Sequence, residues 1–595
     1  MLNKSTAAIV LLIGLFIVNT GFCQDLEDNW KDFLHYTVIG RPDLAKGYAQ
    51  VILGSDPDPV ELLNLSQETP QGYETLLKIN QIASDQELVE LAGRILEVID
   101  RGSFARRSDP TLIVEAIEKL SGTERARMNA LKRLGDAGEY AVPFMLDAMA
   151  DPSRDSEFAY IAQALPNVGK DAIRPLTTAL NSNNIRLQTQ IIIALGEIKY
   201  PQSLPYLKYI IESGSSAELG RLASESIMQI DPAAVNMSAA ELFFQLAENY
   251  YYHAESLSPA EDVATANVWF WDTESRELIH EAVAKDYFNE LMAMRACEWA
   301  LKADAGFGPA IGLWLASYFK AESMGVEEMP EYFDNHAEAL VYATTAGVEY
   351  LHQALARAVR DGNAYVALGV VEALSTTAGE NSLLYRIGQD QPLIQALSFN
   401  DRKVKYSAAI AIAAAGPKDT FNESRLVVAN LADALTRGTQ SNELNTLESE
   451  IADSYALRAA TVMRDLAISR NTVISLSLAQ SSLVRATADE QADIQMLAGQ
   501  TLAYLSNPDA QRAIAEMAMN TGNSDEVRLS AFTSLAISAK INANMLPDEM
   551  INSIYSFISS DDTEQQLRSA AAAAYGALNL PSQKVKDLIL DQAKT

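Results

Sequence analysis

Cysteine is almost missing from this chain: Cys23 and Cys297 are the only two in 595 residues. No disulfide framework can be built from them, and no four-thiolate zinc cage. Histidine is nearly as scarce, and none of His35, His253, His280, His336 and His352 forms the His-Glu-x-x-His pair that binds zinc on one helix. Positive charge is also short. The 46 Lys and Arg are scattered among 78 Asp and Glu, for a net charge of −32. A phosphate-binding face needs clustered cations, so nucleic acid is excluded as a partner. The acidic surplus reads as a soluble, self-repelling surface, with a cationic or metal-loaded partner as the minor alternative. Neither a strand followed by a Gly-rich phosphate loop nor a Gly-x-Ser-x-Gly elbow occurs, and strand-like alternation is scarce throughout.

One long apolar run exists, from Ala7 to Val18. Lys4 precedes it, and Gly21-Phe22-Cys23-Gln24 follows two polar residues. This is the order of a secretory signal peptide, and the run is shorter than the roughly 20 residues of a spanning helix. Cleavage after Cys23 puts Gly21 and Cys23 at the two small-residue positions. Acylation of Cys23 is the weaker reading, because bulky Phe22 stands where a lipoprotein needs a small residue. Residues 1–23 are therefore expected to direct export to the periplasm or cell envelope, with an anchored N-terminus as the alternative. After cleavage only Cys297 remains and no stable membrane span is left.

What the chain has in quantity is apolar residues, 48% of the total, arranged in repeats. Val142, Ile173 and Leu204 are 31 residues apart, as are Met145, Leu176 and Leu207, and Met149, Leu180 and Ile211. Steps of three and four within each set make each triplet one face of a helix. Gly138 and Gly169 share the spacing and mark the turn before that helix. A second apolar helix precedes each turn: Ala130, Leu131 and Leu134, then Ile161, Ala164 and Leu165, then Ile192, Ile193 and Leu195. Such a pair buries its apolar face only by stacking on its neighbours.

Leu134-Gly135-Asp136-Ala137-Gly138 with Ala141-Val142-Pro143, and Val168-Gly169 with Ala172-Ile173 and Pro175, resemble the short bacterial HEAT-like repeats also found in phycobilisome lyase-type proteins. The ankyrin Thr-Pro-Leu-His signature is missing. The resemblance covers roughly 90 residues and implies an all-α fold, an α-α superhelix of HEAT type. The C-terminal part repeats the pattern with looser spacing. Tyr365 to Leu374, Val404 to Ala415, Leu497 to Leu505, Val527 to Ile537 and Leu567 to Leu578 read as Ala-rich amphipathic helices, with Pro508, Pro547 and Pro581 in the connections. Arg528 and Arg568 open equivalent helices. The polar stretch Thr436 to Asn445 is expected to be a loop.

The centre differs. Trp269, Trp271, Trp299 and Trp314 fall there, with Phe243-Phe244, Tyr250-Tyr251-Tyr252, Tyr287-Phe288 and Tyr318-Phe319. Ala296 to Asp304 followed by Pro309 to Tyr318 is similar to one tetratricopeptide junction, although Gly306 and Gly308 intervene where Pro should follow Asp304 directly. The domain reading is a signal peptide (1–23), an N-terminal helical cap (24–120), HEAT repeats (121–235), a tetratricopeptide-like aromatic-rich insert (236–345) and C-terminal HEAT repeats (346–595).

Two sets of candidate site residues follow. Trp269-Phe270-Trp271 cannot all face one core, so with Tyr251 and Tyr252 they are the candidate binding surface; packing of the same rings in the core is the competing reading. Glu277-x-x-His280 and Glu349-x-x-His352, preceded by Glu248 and Glu322, have the order of a di-metal four-helix bundle. Glu is abundant enough for such pairs to arise by chance, and ordinary surface or core positions are favoured, so no metal or cofactor is expected. The functional expectation is an exported, non-catalytic scaffold for a protein or peptide partner. The main alternative is a helical carbohydrate-active enzyme using Asp272, Glu274 and Glu277 beside Trp271. Oligomeric state is left open.

Overall fold

A computed structural model describes residues 22–69, 71–82, 85–214, 216–261, 263–326, 330, 336–438, 446–560 and 562–592. The proposed leader lies almost wholly outside the described residues, as do 439–445 of the expected loop. The described residues are overwhelmingly helical, arranged in stacked helix pairs. No described helix is long and apolar enough to cross a membrane. The chain forms two compact units, one running to Met237 and including Val268–His280, the other comprising Ser238–Asn267 and Glu281 onward.

In the first unit, the helices from Phe22–Val38 to Gln86–Ser108 enclose a core built on Trp30, Phe33, Ile52, Leu62, Leu76 and Ile95. The repeats follow. Val142, Met145, Ile173, Leu176 and Leu207 are fully buried, as the 31-residue spacing requires, whereas in the third repeat Ile210 is buried and Ile211 is half-buried. Gly138 and Gly169 form the turns with φ/ψ of 60/−131° and 79/−149°. That region is closed to residues with a side chain. The third turn uses Lys199 instead, at φ 57° and ψ 44°, a left-handed conformation that a lysine tolerates. Arg107 ties the first two turns together, donating to the Ala137 carbonyl (3.2 Å) and to Asp171 (3.0 Å).

The second unit opens with a capping box: the Ser238 hydroxyl accepts from Glu241 N–H, and the Glu241 carboxylate accepts from Ser238 N–H. Farther on, helices Ala364–Thr377, Arg402–Ala415, Thr446–Ile468, Ala492–Leu502, Asp525–Asn542 and Gln565–Ala577 each pack on the next to form one layer. Their intervening partners form the other. Ala-rich stretches let these helices approach closely; Ala408, Ala409, Ala531, Ala571 and Ala574 are all buried. Pro508 is the first residue of its helix, and Pro547 stands at the N-cap position of helix Asp548–Ser559. Thr436, Arg437 and Gly438, expected in a loop, are instead the last turn of helix Ser424–Gly438.

One device recurs across the helix pairs. Four residues after the N-cap, a long donor reaches back to the carbonyl at or just before the end of the preceding helix. Arg127 donates to Leu120 O, Gln188 to Leu180 O, Arg528 to Ala518 O and Arg568 to Ser560 O. Their caps are Thr123, Asn184, Ser524 and Glu564. The carbonyls at a helix's end have no intrahelical donor, and this bond satisfies one of them while tying each helix pair to the one before it.

The centre departs from the all-helical expectation. Between the packed helices Ala239–Tyr251 and Lys285–Ala303 the chain inserts a two-stranded antiparallel hairpin, β1 (Thr265–Asp272) and β2 (Glu277–Ala284). Val268-Trp269-Phe270-Trp271 favours a strand through its β-branched and aromatic residues. Asp272 shapes the turn, accepting from Glu274 N–H and the Ser275 hydroxyl at 2.8 Å each, and Arg276 takes φ 62°. The tetratricopeptide-like junction is a packed helix pair, Lys285–Ala303 and Pro309–Ser323, in which Trp314 Nε1 donates to Glu298.

Gly169→Ala should lower stability by about 1–3 kcal/mol from backbone strain alone. Gly138→Ala should cost more, because its new methyl would also lie 2.4 Å from the Arg107 guanidinium. Urea titration followed by circular dichroism would rank the two, and equal midpoints would contradict this account of the turns.

Candidate functional site

The five residues expected to form an aromatic surface are divided by the fold. Trp269 is 2% exposed, donates its Nε1 hydrogen to Glu139 (2.8 Å) and has its ring 4.7 Å from the His280 ring. Phe270 and Trp271 are half-buried. Tyr251 is buried, its ring under the Lys320 ammonium at 4.6 Å, and burial drives its phenol far above the ordinary range. Tyr252 alone is well exposed. Trp269 and Tyr251 therefore pack the interior of separate units and offer no ring to a ligand.

The metal candidates are not brought together. Glu277 and His280 stand on β2, not on a helix, so their three-residue spacing points them to opposite faces of the strand. Glu248 pairs with Arg357 at 2.8 Å, and Glu322 accepts from Ala339 N–H at 2.8 Å. Glu349 is exposed, whereas His352 is fully buried with Nε2 bonded to Ser382 O at 2.9 Å. Among the described residues no group of three or more His, Cys, Asp or Glu could hold a metal ion.

Of the carboxylates beside Trp271, Asp272 is committed to the hairpin turn, and its hydrogen bonds hold it below the usual carboxylate range. That is the wrong direction for a general acid. Asp147 is held above its usual range by the surrounding protein and by the charge of Glu277, but the residue opens to solvent. No water-excluded carboxylate pair results.

One concavity lies wholly in the second unit. It is a groove of about 990 Å³ between helices Pro309–Ser323, Val348–Asp361 and Pro392–Ala396. Its apolar floor is presented by the half-buried Phe244 and Val359, over the buried Leu313 and Ile394. Gly312 lets two helices meet there, since a Cβ at that position would stand 2.9 Å from that of Gln353. One wall is the tight turn Ile387-Gly388-Gln389-Asp390, closed by paired backbone bonds of 2.9 and 3.0 Å with Gly388 at φ 60°. That turn lifts Gln389 into solvent at the rim.

The groove's cations are anchored by Tyr252. Its hydroxyl accepts from Arg357 Nη1 (2.8 Å) and from Arg360 Nη2, and donates to Asp361 (3.2 Å). Arg357 is mostly buried and committed to Glu248, whereas the Arg360 side chain is 64% exposed. With Asp390 and Glu423 on the same lining, two arginines face two carboxylates. The groove is thus close to charge-neutral in a chain carrying −32.

Its polar side chains are of two kinds. Gln391 and Gln395 are clamped, donating to Leu384 O and to Asp390 respectively at 2.9 Å. Gln353, Gln389, Asn422 and Ser398 make no side-chain hydrogen bond to the protein among the described residues. None of these was picked out from the sequence. The available signal was the density of amides in Gln389-Asp390-Gln391 and at Gln395, next to the Gly388 turn.

No family model matches the chain, and no curated protein matches its sequence. Solved structures that resemble it include importin beta in an ammonium sulfate condition, at 11% identity over 94% of this chain and 79% of that one, with a TM-score of 0.29. An engineered protein matches at 17% identity over 93% and 99%, with a TM-score of 0.21. A structure described as a phosphorylation switch controlling the interaction between cadherin and beta-catenin matches at 11% over 90% and 96%, also at 0.21. At such TM-scores the likeness adds nothing to the helix-pair geometry. That geometry itself defines the class: an α-helical repeat protein with HEAT-type helix pairs.

His352 joins the groove's helix Val348–Asp361 to the turn at Ser382, and burial holds its imidazole below the ordinary histidine range. Unfolded, it takes up a proton near pH 6.5, and folded only at lower pH. The unfolded state therefore binds more protons in that interval, and stability falls as pH drops through it. His352→Gln, which keeps a donor for Ser382 O, should lose less stability between pH 7 and pH 5 than the native chain, as read from melting temperatures. An identical pH profile would contradict this.

Proposed function

We propose that this chain is exported by its first 23 residues to the periplasm or cell envelope. There it acts as a non-catalytic scaffold that holds a protein partner in the groove of the second unit. The observation that carries the reading is the groove itself, whose apolar floor is rimmed by polar groups without protein partners. Binding sites combine such a concave apolar surface with a few convergent polar groups. The acidic surface supports solubility, and the apolar run from Ala7 to Val18 supports export. The carboxylates Asp272 and Asp147 do not supply the water-excluded pair that acid–base chemistry on a glycan needs, so they give a catalytic reading no support.

Photo-crosslinking in the native host tests the reading. A benzophenone amino acid at Ser398, inside the groove, should yield a discrete crosslinked protein in the envelope fraction. The same probe at Met128, exposed on the first unit, should yield none. Equal patterns at the two positions would refute the groove as the partner site, and recovery of the chain only from the cytoplasm would refute export.

A further inference from the structure

We propose that the groove reads the main chain of an extended, unstructured polypeptide segment, not a folded surface or a fixed side-chain motif. This rests on the reading that the groove is where the partner sits. The argument begins with Gln353, Gln389 and Asn422, whose amides have no protein partner among the described residues. A primary amide presents two donors beside an acceptor, the complement of the carbonyl and N–H of a peptide unit. The neighbouring Gln391 and Gln395 are by contrast clamped by Leu384 O and Asp390.

Charge points the same way. The lining arginines are balanced by lining carboxylates, so a strongly charged motif gains little. The exposed Arg360, held by Asp361 and Tyr252, has Nη1 left to donate to one acidic side chain or a terminal carboxylate. An extended chain turns alternate side chains to opposite faces. One set would meet the half-buried Phe244 and Val359, and the other would face solvent. A folded partner needs a patch of roughly 800 Å² on each side, whereas a cleft admits a single strand. The rim is also prearranged: paired backbone bonds fix the turn under Gln389, and close helix packing at Gly312 fixes Gln353. Little ordering entropy on the protein's side opposes binding.

The test uses the full chain and a phage-displayed random dodecapeptide library. Peptides enriched on the native chain should be lost on Gln353→Leu/Gln389→Leu and on Ser398→Trp, which fills the groove from an exposed position. Both variants should melt as the native chain does. The enriched peptides should share no side-chain motif beyond apolar residues at alternate positions and an acidic residue. Resynthesised with N-methyl groups at alternate residues, which remove main-chain donors, they should bind at least about tenfold more weakly by fluorescence anisotropy. Equal affinity after N-methylation would overturn main-chain reading while leaving the groove as a binding site. Failure to enrich any groove-dependent peptide would overturn the inference outright. The crosslink at Ser398 then separates a groove that holds a folded partner from one that holds none.

Discussion

The bond from the fourth helical residue back to the preceding helix's terminal carbonyl is the interaction on which the architecture depends. A helix pair in this chain has apolar faces too wide to bury against each other, so it must stack, and stacking works only if successive pairs hold one angle. Arg127, Gln188, Arg528 and Arg568 set that angle at four points, each bond to a charged donor worth about 1.5–3 kcal/mol and the neutral Gln188 bond less. The glycine turns at 138 and 169 act with it, placing the chain where a side chain would not fit. Between them these contacts fix where each second-layer helix begins.

The groove is a consequence of that order being interrupted. Where helix Pro392–Ala396 is only five residues long and the chain before it closes into the Ile387–Asp390 turn, the regular stacking leaves a trough. The floor keeps the apolar character of a helix interface, and the rim carries the amides that a longer helix would have turned outward. Beside it, the Tyr252 hydroxyl gathers Arg357, Arg360 and Asp361 into one hydrogen-bonded group. A buried ion group supports the same region: Glu290 accepts from His253 and from Lys320 at 3.0 Å, joining three successive elements of the second unit.

Much of the fold was legible in the sequence for a physical reason. Period 3.6 survives in a solenoid because every helix has one face against the next pair, and Val142-Met145-Met149 and its two copies display it directly. The inner-layer helices beginning near Tyr365, Val404, Val527 and Leu567 were visible by the same logic. The hairpin was not. Asn267, Val268 and Trp269 are buried in succession, so β1 shows no alternation, and in β2 the buried Leu278 and Val283 are an odd number of residues apart. Glu277-x-x-His280 consequently resembled a helical metal pair while standing on a strand. The aromatic cluster announced itself by composition, but Trp269 and Tyr251 are used as packing. The groove was hidden because its residues come from five separate stretches, and an unpaired amide is a property of three-dimensional neighbours that spacing does not encode.

Hydrogen–deuterium exchange of the full chain, with and without the host's envelope extract, tests the central claim most directly. The backbone amides of Gly388, Gln389, Gln391 and 422–424 in the groove wall donate no backbone hydrogen bond among the described residues and should exchange quickly in the purified chain. If a segment lies in the groove, those amides should become protected in the extract while the exposed helix Glu124–Ala137 of the first unit stays unchanged. Protection confined to the first unit, or none anywhere, would contradict the account.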